Sequence, residues 1–148
     1  MGVSEEESLM LEIGKAESLH GHLGPFLVLG VKMANLARKI LNIDGDEQRD
    51  MRVFVKLPLT IPFSCILDGI QASTKCTIGN RKLRVRNFNG RISAHFKIES
   101  QNKTVKIILK PHLAEALLKQ LSEGVSNEKL ALEVASTPED QLFTVEEG

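Results

Sequence analysis

Apolar residues along the chain recur at two periods, and each period maps to an element. From Met51 to Leu59 they alternate, with Met51, Val53, Val55 and Leu57 against Arg52, Phe54 and Lys56, which predicts a strand with one buried face ended by Pro58 and Pro62. Arg91 to Glu99 repeats the pattern: Ile92, Ala94, Phe96 and Ile98 face one way, Ser93, His95 and Lys97 the other. Thr104 to Leu109 is expected to pair with it around Gln101-Asn102, and Asn89-Gly90, after the short strand Leu83-Arg-Val-Arg, is a hairpin turn signal, so these segments read as a meander.

Elsewhere the spacing is helical. Ser4 and Glu7 form a capping box for a helix through Leu9, Leu11, Ile13 and Ala16 to about Ser18, weakened at Gly14 by about 1 kcal/mol. Pro25 opens a second helix to about Leu41 whose first turns are apolar nearly all round, the mark of a buried helix; Lys32, Arg38 and Lys39 are placed on its outer face and C-terminal end. Asp44-Gly-Asp-Glu is read as a turn, Ser64 to Ser73 as a short helix and Thr74 to Lys82 as a loop. Further helices follow from Pro111 to Gly124 and from Asn127 to Ala135; Thr137-Pro-Glu-Asp starts another, and Leu142-Phe-Thr-Val closes as a strand. The order predicts an α+β fold, an antiparallel or mixed sheet packed with helices, in a single domain over 1–148 without internal repeats.

Composition changes this picture little. The 148 residues, 42% hydrophobic and 26% charged, suit one globular domain with a core of its own. Two cysteines make no disulfide scaffold, the acidic N-terminal segment lacks a signal-peptide pattern, and apolar runs fall short of a membrane span; a cytoplasmic protein with reduced thiols is expected. Charge adds more. The net is zero, but residues 1–74 carry −3, residues 75–110 carry +9 and residues 111–148 carry −6. The basic third is read either as wet strand faces paired with acidic helices or as a face for an anionic partner.

The soft-ligand inventory is four histidines and two cysteines. His20-Gly-His22 stands in a glycine-containing loop before the buried helix, where side chains two apart can point the same way. Two imidazoles need a third ligand. Cys65 is the first choice: at a helix start its thiol would be shifted toward thiolate. Asp68, one turn on, could orient an imidazole. Cys76 is the second choice. His95 and His112 are read as surface residues.

At this point the sequence resembles the FmdE family, named for formylmethanofuran dehydrogenase. His20-Gly-His-Leu-Gly-Pro, followed by an apolar helix with Gly30, is similar to the family's His-Gly-His-x-Cys-Pro-Gly block. Cys65-Ile-Leu-Asp68-Gly-Ile-Gln71-Ala-Ser-Thr-Lys-Cys76-Thr-Ile-Gly79 is similar to its Cys-x-x-Asp-x-Ile-Gln-x-x-Thr-Gly-Cys-Thr-x-Gly block, and Gly90-Arg-Ile-Ser-Ala-His-Phe96 and the closing strand through Phe143 also fit. The resemblance implies an α+β domain, often dimeric, linked by name to the molybdenum or tungsten formylmethanofuran dehydrogenase of archaeal-type metabolism. It also implies a metal core at His20, His22 and Cys65, with Asp68 and Gln71 behind it. Some members carry a C-terminal zinc ribbon; no cysteine follows Cys76 here. Gly24 stands where the family has cysteine, which argues against dithiol redox chemistry, and Lys75, Arg81 and Lys82 add positive charge to the second block.

Three readings stay open. The first is an accessory protein binding a divalent metal at His20, His22 and Cys65, with Cys76 or water completing the site; zinc leads, and nickel and iron are compatible. Lys75, Arg81 and Lys82 would then meet an anionic small molecule or cofactor, and the protein would be a homodimer. The second is a thiol enzyme with Cys65 as nucleophile and His20 or His22 as base. The third is a non-catalytic binding subunit whose basic segment meets an acidic partner or RNA. With Phe88 and Phe96 as its aromatics, a stacking platform for bases is not expected there, and nucleic acid is not a favoured partner.

Overall fold

The computed structural model describes residues 4–43 and 49–147. The turn expected at Asp44-Gly-Asp-Glu lies outside them. The elements run α1 (Glu5–His20), α2 (Pro25–Leu41), β1 (Met51–Leu57), α3 (Cys65–Thr74), β2 (Leu83–Asn87), β3 (Ser93–Ile98), a 3-10 turn (Glu99–Gln101), β4 (Lys103–Leu109), α4 (Pro111–Ser122), α5 (Asn127–Ser136), α6 (Glu139–Leu142) and β5 (Phe143–Glu147). The expected α+β class holds: five strands in the order β2-β1-β3-β4-β5 form a mixed sheet, packed with helices. Among the described residues no helix is long and apolar enough to cross a membrane.

Local chemistry sets most boundaries. Ser4 caps α1 through its hydroxyl, which accepts from the Glu7 N–H at 3.1 Å, and Gly21 ends it at φ 101°, a conformation open to glycine. Ser126 caps α5 in the same way through the Lys129 N–H. Of the apolar residues that mark α1, Leu11 is 61% exposed, whereas Ile13 and Ala16 are buried.

The sheet corrects the meander. β1 and β2 are parallel, joined by the α3 crossover, and β3 lies antiparallel on the other side of β1. Asn89-Gly90 therefore joins two strands that do not pair; the connection passes the end of β1, where the Phe88 N–H donates to the Leu57 carbonyl at 2.9 Å. β3 and β4 pair as expected around Asn102, which adopts φ 51°.

α2 is the hub of the core, packed on α1, α3, α5 and β4. Phe26, Leu27, Val28, Leu29, Val31 and Met33 are all buried, as its apolar start implies. Where α2 crosses α3, backbones touch: a Cβ on Gly30 would lie 2.2 Å from the Ile66 carbonyl oxygen, and one on Gly69 2.2 Å from that of Leu27. Arg38 ties three helices together, donating to Glu12, to Asn35 and to both the carbonyl and the hydroxyl of Ser73. Lys32 is a correction. Expected on the outer face of α2, it is buried, and its ammonium donates to the carbonyls of Val134, Ala135 and Thr137 at the C-terminal end of α5. These helix-end carbonyls replace the water the cation loses. Burial still pushes its pKa below the ordinary lysine value, while Glu139 pulls it upward.

Candidate functional site

A histidine pair, a cysteine and a carboxylate lie in the region where α1 ends, α2 begins and α3 begins. His20 is the last residue of α1, and Gly21 turns the chain so that His22 follows beside it. The two imidazoles lie edge to face, with centroids 4.8 Å apart. Asp68, one turn into α3, accepts from His20 Nδ1 at 2.7 Å. An ionised carboxylate only accepts, so His20 donates through Nδ1, and in its neutral form the ring keeps the Nε2 lone pair for a ligand. The other oxygen of Asp68 accepts from Gln71 Nε2 at 3.1 Å, and Gln71 Oε1 accepts from the Ile78 N–H at 3.3 Å. Asp68 thus backs His20, and Gln71 backs Asp68.

His22 and Cys65 line one cleft of about 330 Å³ with Phe26, Ile61, Pro62 and Asn127. Gly24 also lines it. A Cβ built there would lie 3.4 Å from His22 Cε1 and 3.0 Å from Asn127 Oδ1, so the position where the family signature has cysteine points into this site. Asn127, at the start of α5, carries no local sequence signal that would have placed it here. A larger cleft, about 550 Å³, lies between the start of α1 and residues 135–139; Glu5, Glu12, Lys32 and Lys39 line it, and it contains no histidine or cysteine.

Cys76 does not join the cluster. It follows the far end of α3 from Cys65, about 15 Å away along ten helical residues. It is buried, and its thiol donates to the Met51 carbonyl at 3.4 Å. Nor do Lys75, Arg81 and Lys82 reach the cleft. Lys75 caps the C-terminus of α3 at φ 63°, and Arg81 and Lys82 open onto a separate cleft over the sheet. His95 and His112 are exposed, as expected.

The thiol of Cys65 reverses the expected polarity. Burial pushes its pKa up, the neighbouring Asp68 adds to this, and only its own backbone hydrogen bond opposes. The N-terminal amides of α3 give little help because a preceding turn already uses them: Cys65, Ile66 and Leu67 N–H donate to the carbonyls of Pro62, Phe63 and Ser64 at 3.0–3.1 Å. In metal-free protein, iodoacetamide should therefore label Cys65 slowly at about pH 8, with the onset above that of a free thiol, and Asp68→Asn should move the onset down. Rapid labelling near pH 6 would contradict this assignment.

Among the described residues no three His, Cys, Asp or Glu side chains already converge as a metal-holding group. The donor set nevertheless fits a soft divalent ion in type: one imidazole held in the right tautomer, a second beside it, and a thiol on the same cleft.

Part of the chain is similar to a protein of Archaeoglobus fulgidus named "Probable S-adenosyl-L-methionine-binding protein", at 35% identity over 69 residues. That stretch is 47% of this chain and 19% of the relative, so the match covers about a fifth of that protein's length. Residues 19–144 match the profile of the family described as "FmdE, Molybdenum formylmethanofuran dehydrogenase operon", a span that holds His20, His22, Cys65 and all five strands but for the last residues of β5. The chain belongs to the FmdE family.

Proposed function

We propose that this FmdE domain is an accessory, metal-binding protein of formylmethanofuran dehydrogenase-type metabolism, holding a soft divalent ion, zinc foremost, at His20, His22 and Cys65. The observation that carries the reading is the His20–Asp68 bond, which leaves Nε2 free beside the ring of His22. Carboxylate–imidazole pairs of this kind orient metal-binding histidines. A bound ion would offer an open coordination position to ligands in the cleft. Phe26, Ile61 and Pro62 would give such a ligand an apolar wall, and Asn127 a polar contact. The raised pKa of Cys65 weighs against a thiol nucleophile at neutral pH; a metal-bound thiol, by contrast, loses its proton to solvent under the pull of the ion.

Elemental analysis of freshly purified protein tests the reading: about one metal per chain is expected, and Cys65→Ser and His20→Ala should each release it. Asp68→Asn should weaken zinc binding roughly 10- to 100-fold while leaving the fold intact. Folded protein that takes up no metal would overturn the proposal. The partial match to a probable S-adenosyl-L-methionine-binding protein makes that compound the first organic ligand to titrate into the cleft.

A further inference from the structure

The face of the sheet opposite the helical core is strongly cationic, although Glu146 on β5 stands opposite Lys106 and Ser93 and Ile108 are buried there. Arg84 and Arg86 on β2, Arg52 and Lys56 on β1, His95 and Lys97 on β3 and Lys106 on β4 alternate with the core residues and point outward together. Helices pack against the other face, so these cations are not paired with the acidic helices as one reading of the sequence expected. Among the described residues the ion pair found on this face is Lys97 with Glu99, at 3.8 Å. Neighbouring strands lie about 4.8 Å apart and successive outward residues about 7 Å apart, so positive charge repeats across the face at the scale of a phosphodiester chain.

Two aromatic rings stand within this lattice. The sequence offers Phe88 and Phe96, but Phe96 is buried in the core, and Phe54 takes the outward position between Arg52 and Lys56. The Lys56 ammonium lies 5.8 Å from the centroid of Phe54 and 5.7 Å from that of Phe88. Phe88 is 42% exposed and its ring lies on Gly90, where a Cβ would come 2.4 Å from Cε2; the glycine of the Asn89-Gly90 turn serves ring placement rather than a hairpin. Two shallow clefts flank the rings: one of about 290 Å³ lined by Arg52, Arg81, Lys82, Arg84 and Lys97, the other of about 250 Å³ lined by Lys56, Arg91 and Lys106.

We propose that this sheet face binds single-stranded nucleic acid, its phosphates running through the two basic clefts and bases stacking on Phe54 and Phe88. Charge complementarity requires an anionic occupant. The exposed Phe88 and the half-buried Phe54, both beside Lys56, distinguish a strand with unstacked bases from an acidic protein, whose interface core would be depleted of lysine. A five-stranded sheet is also too broad to enter a groove of duplex DNA, whereas a splayed single strand can lie across it. This site shares no residue with the His20–His22–Cys65 corner, so it stands or falls separately from the metal reading.

The test is fluorescence anisotropy of the full chain with a labelled mixed-sequence single strand of roughly twelve nucleotides. If about four phosphates are neutralised, affinity should fall roughly 50-fold between 50 and 200 mM salt. Phe88→Ala should weaken binding roughly 5- to 100-fold, with Phe54→Leu, which keeps apolar volume but removes the ring, acting in the same direction. The double change Arg84→Glu and Arg86→Glu, on an exposed edge strand, should abolish it. A duplex of equal length should bind at least about tenfold more weakly. No binding at 50 mM salt would overturn the proposal. So would binding that ignores both ring substitutions, or that polyglutamate displaces as readily as a single strand, since either marks a face for acidic protein.

Discussion

Gly69→Ala is expected to leave the domain largely unfolded, or to lower its stability by at least about 3 kcal/mol. The added methyl would stand 2.2 Å from the Leu27 carbonyl oxygen, 2.9 Å from the Val31 nitrogen and 3.1 Å from the Gly30 Cα. All three are backbone atoms of α2, so no rotamer change relieves the contact. The helices would have to separate, and α2 is packed on nearly every other layer of the core. Interiors packed at crystal density pass such a shift on to their neighbours. Gly30→Ala should behave alike, its methyl meeting the Ile66 carbonyl oxygen at 2.2 Å. Gly14→Ala is the control: nothing lies within 4 Å of a Cβ there, and removing a glycine from the exposed flank of α1 should stabilise by about 0.5–1 kcal/mol. Urea denaturation of the three variants decides the matter. A Gly69→Ala protein within about 1 kcal/mol of wild type would mean that the α2–α3 crossing is looser than described.

Gly24→Cys is expected to raise zinc affinity on the order of 100-fold, the scale of one added ligand when a complete structural site is worth about 10–16 kcal/mol. Gly24 has φ −150°, extended backbone open to any residue. The new side chain would start 3.4 Å from His22 Cε1 and would need to displace only Asn127 Oδ1, the movable end of a side chain. It would reach into the cleft shared by His22 and Cys65. The wild-type chain would offer an ion two imidazoles and one thiol, leaving the fourth position to water, while the variant closes the set to four protein ligands. Competition with a chelating dye measures the change. No gain, in a variant shown to be folded, would mean that the histidines and Cys65 do not bind a common ion.

Much of this arrangement is legible in the sequence alone. Element boundaries are legible because caps and prolines are local: Ser4 starts a helix through its side-chain oxygen, and Pro25 and Pro111 through their fixed φ. The two faces of β1 and β3 are legible because the strand period is two. Strand order is not, since Asn89-Gly90 carries the same local signal whether the strands it joins pair or straddle a third. Lys32 is misplaced by its sequence context because its partners, the carbonyls of Val134, Ala135 and Thr137, come from a helix a hundred residues later. At the candidate site, residue type and spacing single out His20, His22, Cys65 and Asp68 as candidates. Cys76 is offered by the sequence as second choice to Cys65, and the length of α3 sets it apart from the cluster. The acidifying effect expected of the α3 N-terminus fails because the preceding turn has already engaged its amides.

X-ray absorption at the zinc edge of stoichiometrically loaded wild-type protein tests the metal site most directly. The expected first shell holds two nitrogen scatterers at about 2.0–2.1 Å and one sulfur at about 2.3 Å, with the sulfur contribution lost in Cys65→Ser and retained in Cys76→Ser. A shell of nitrogen and oxygen alone, or a sulfur signal that survives Cys65→Ser, would contradict a site built from His20, His22 and Cys65.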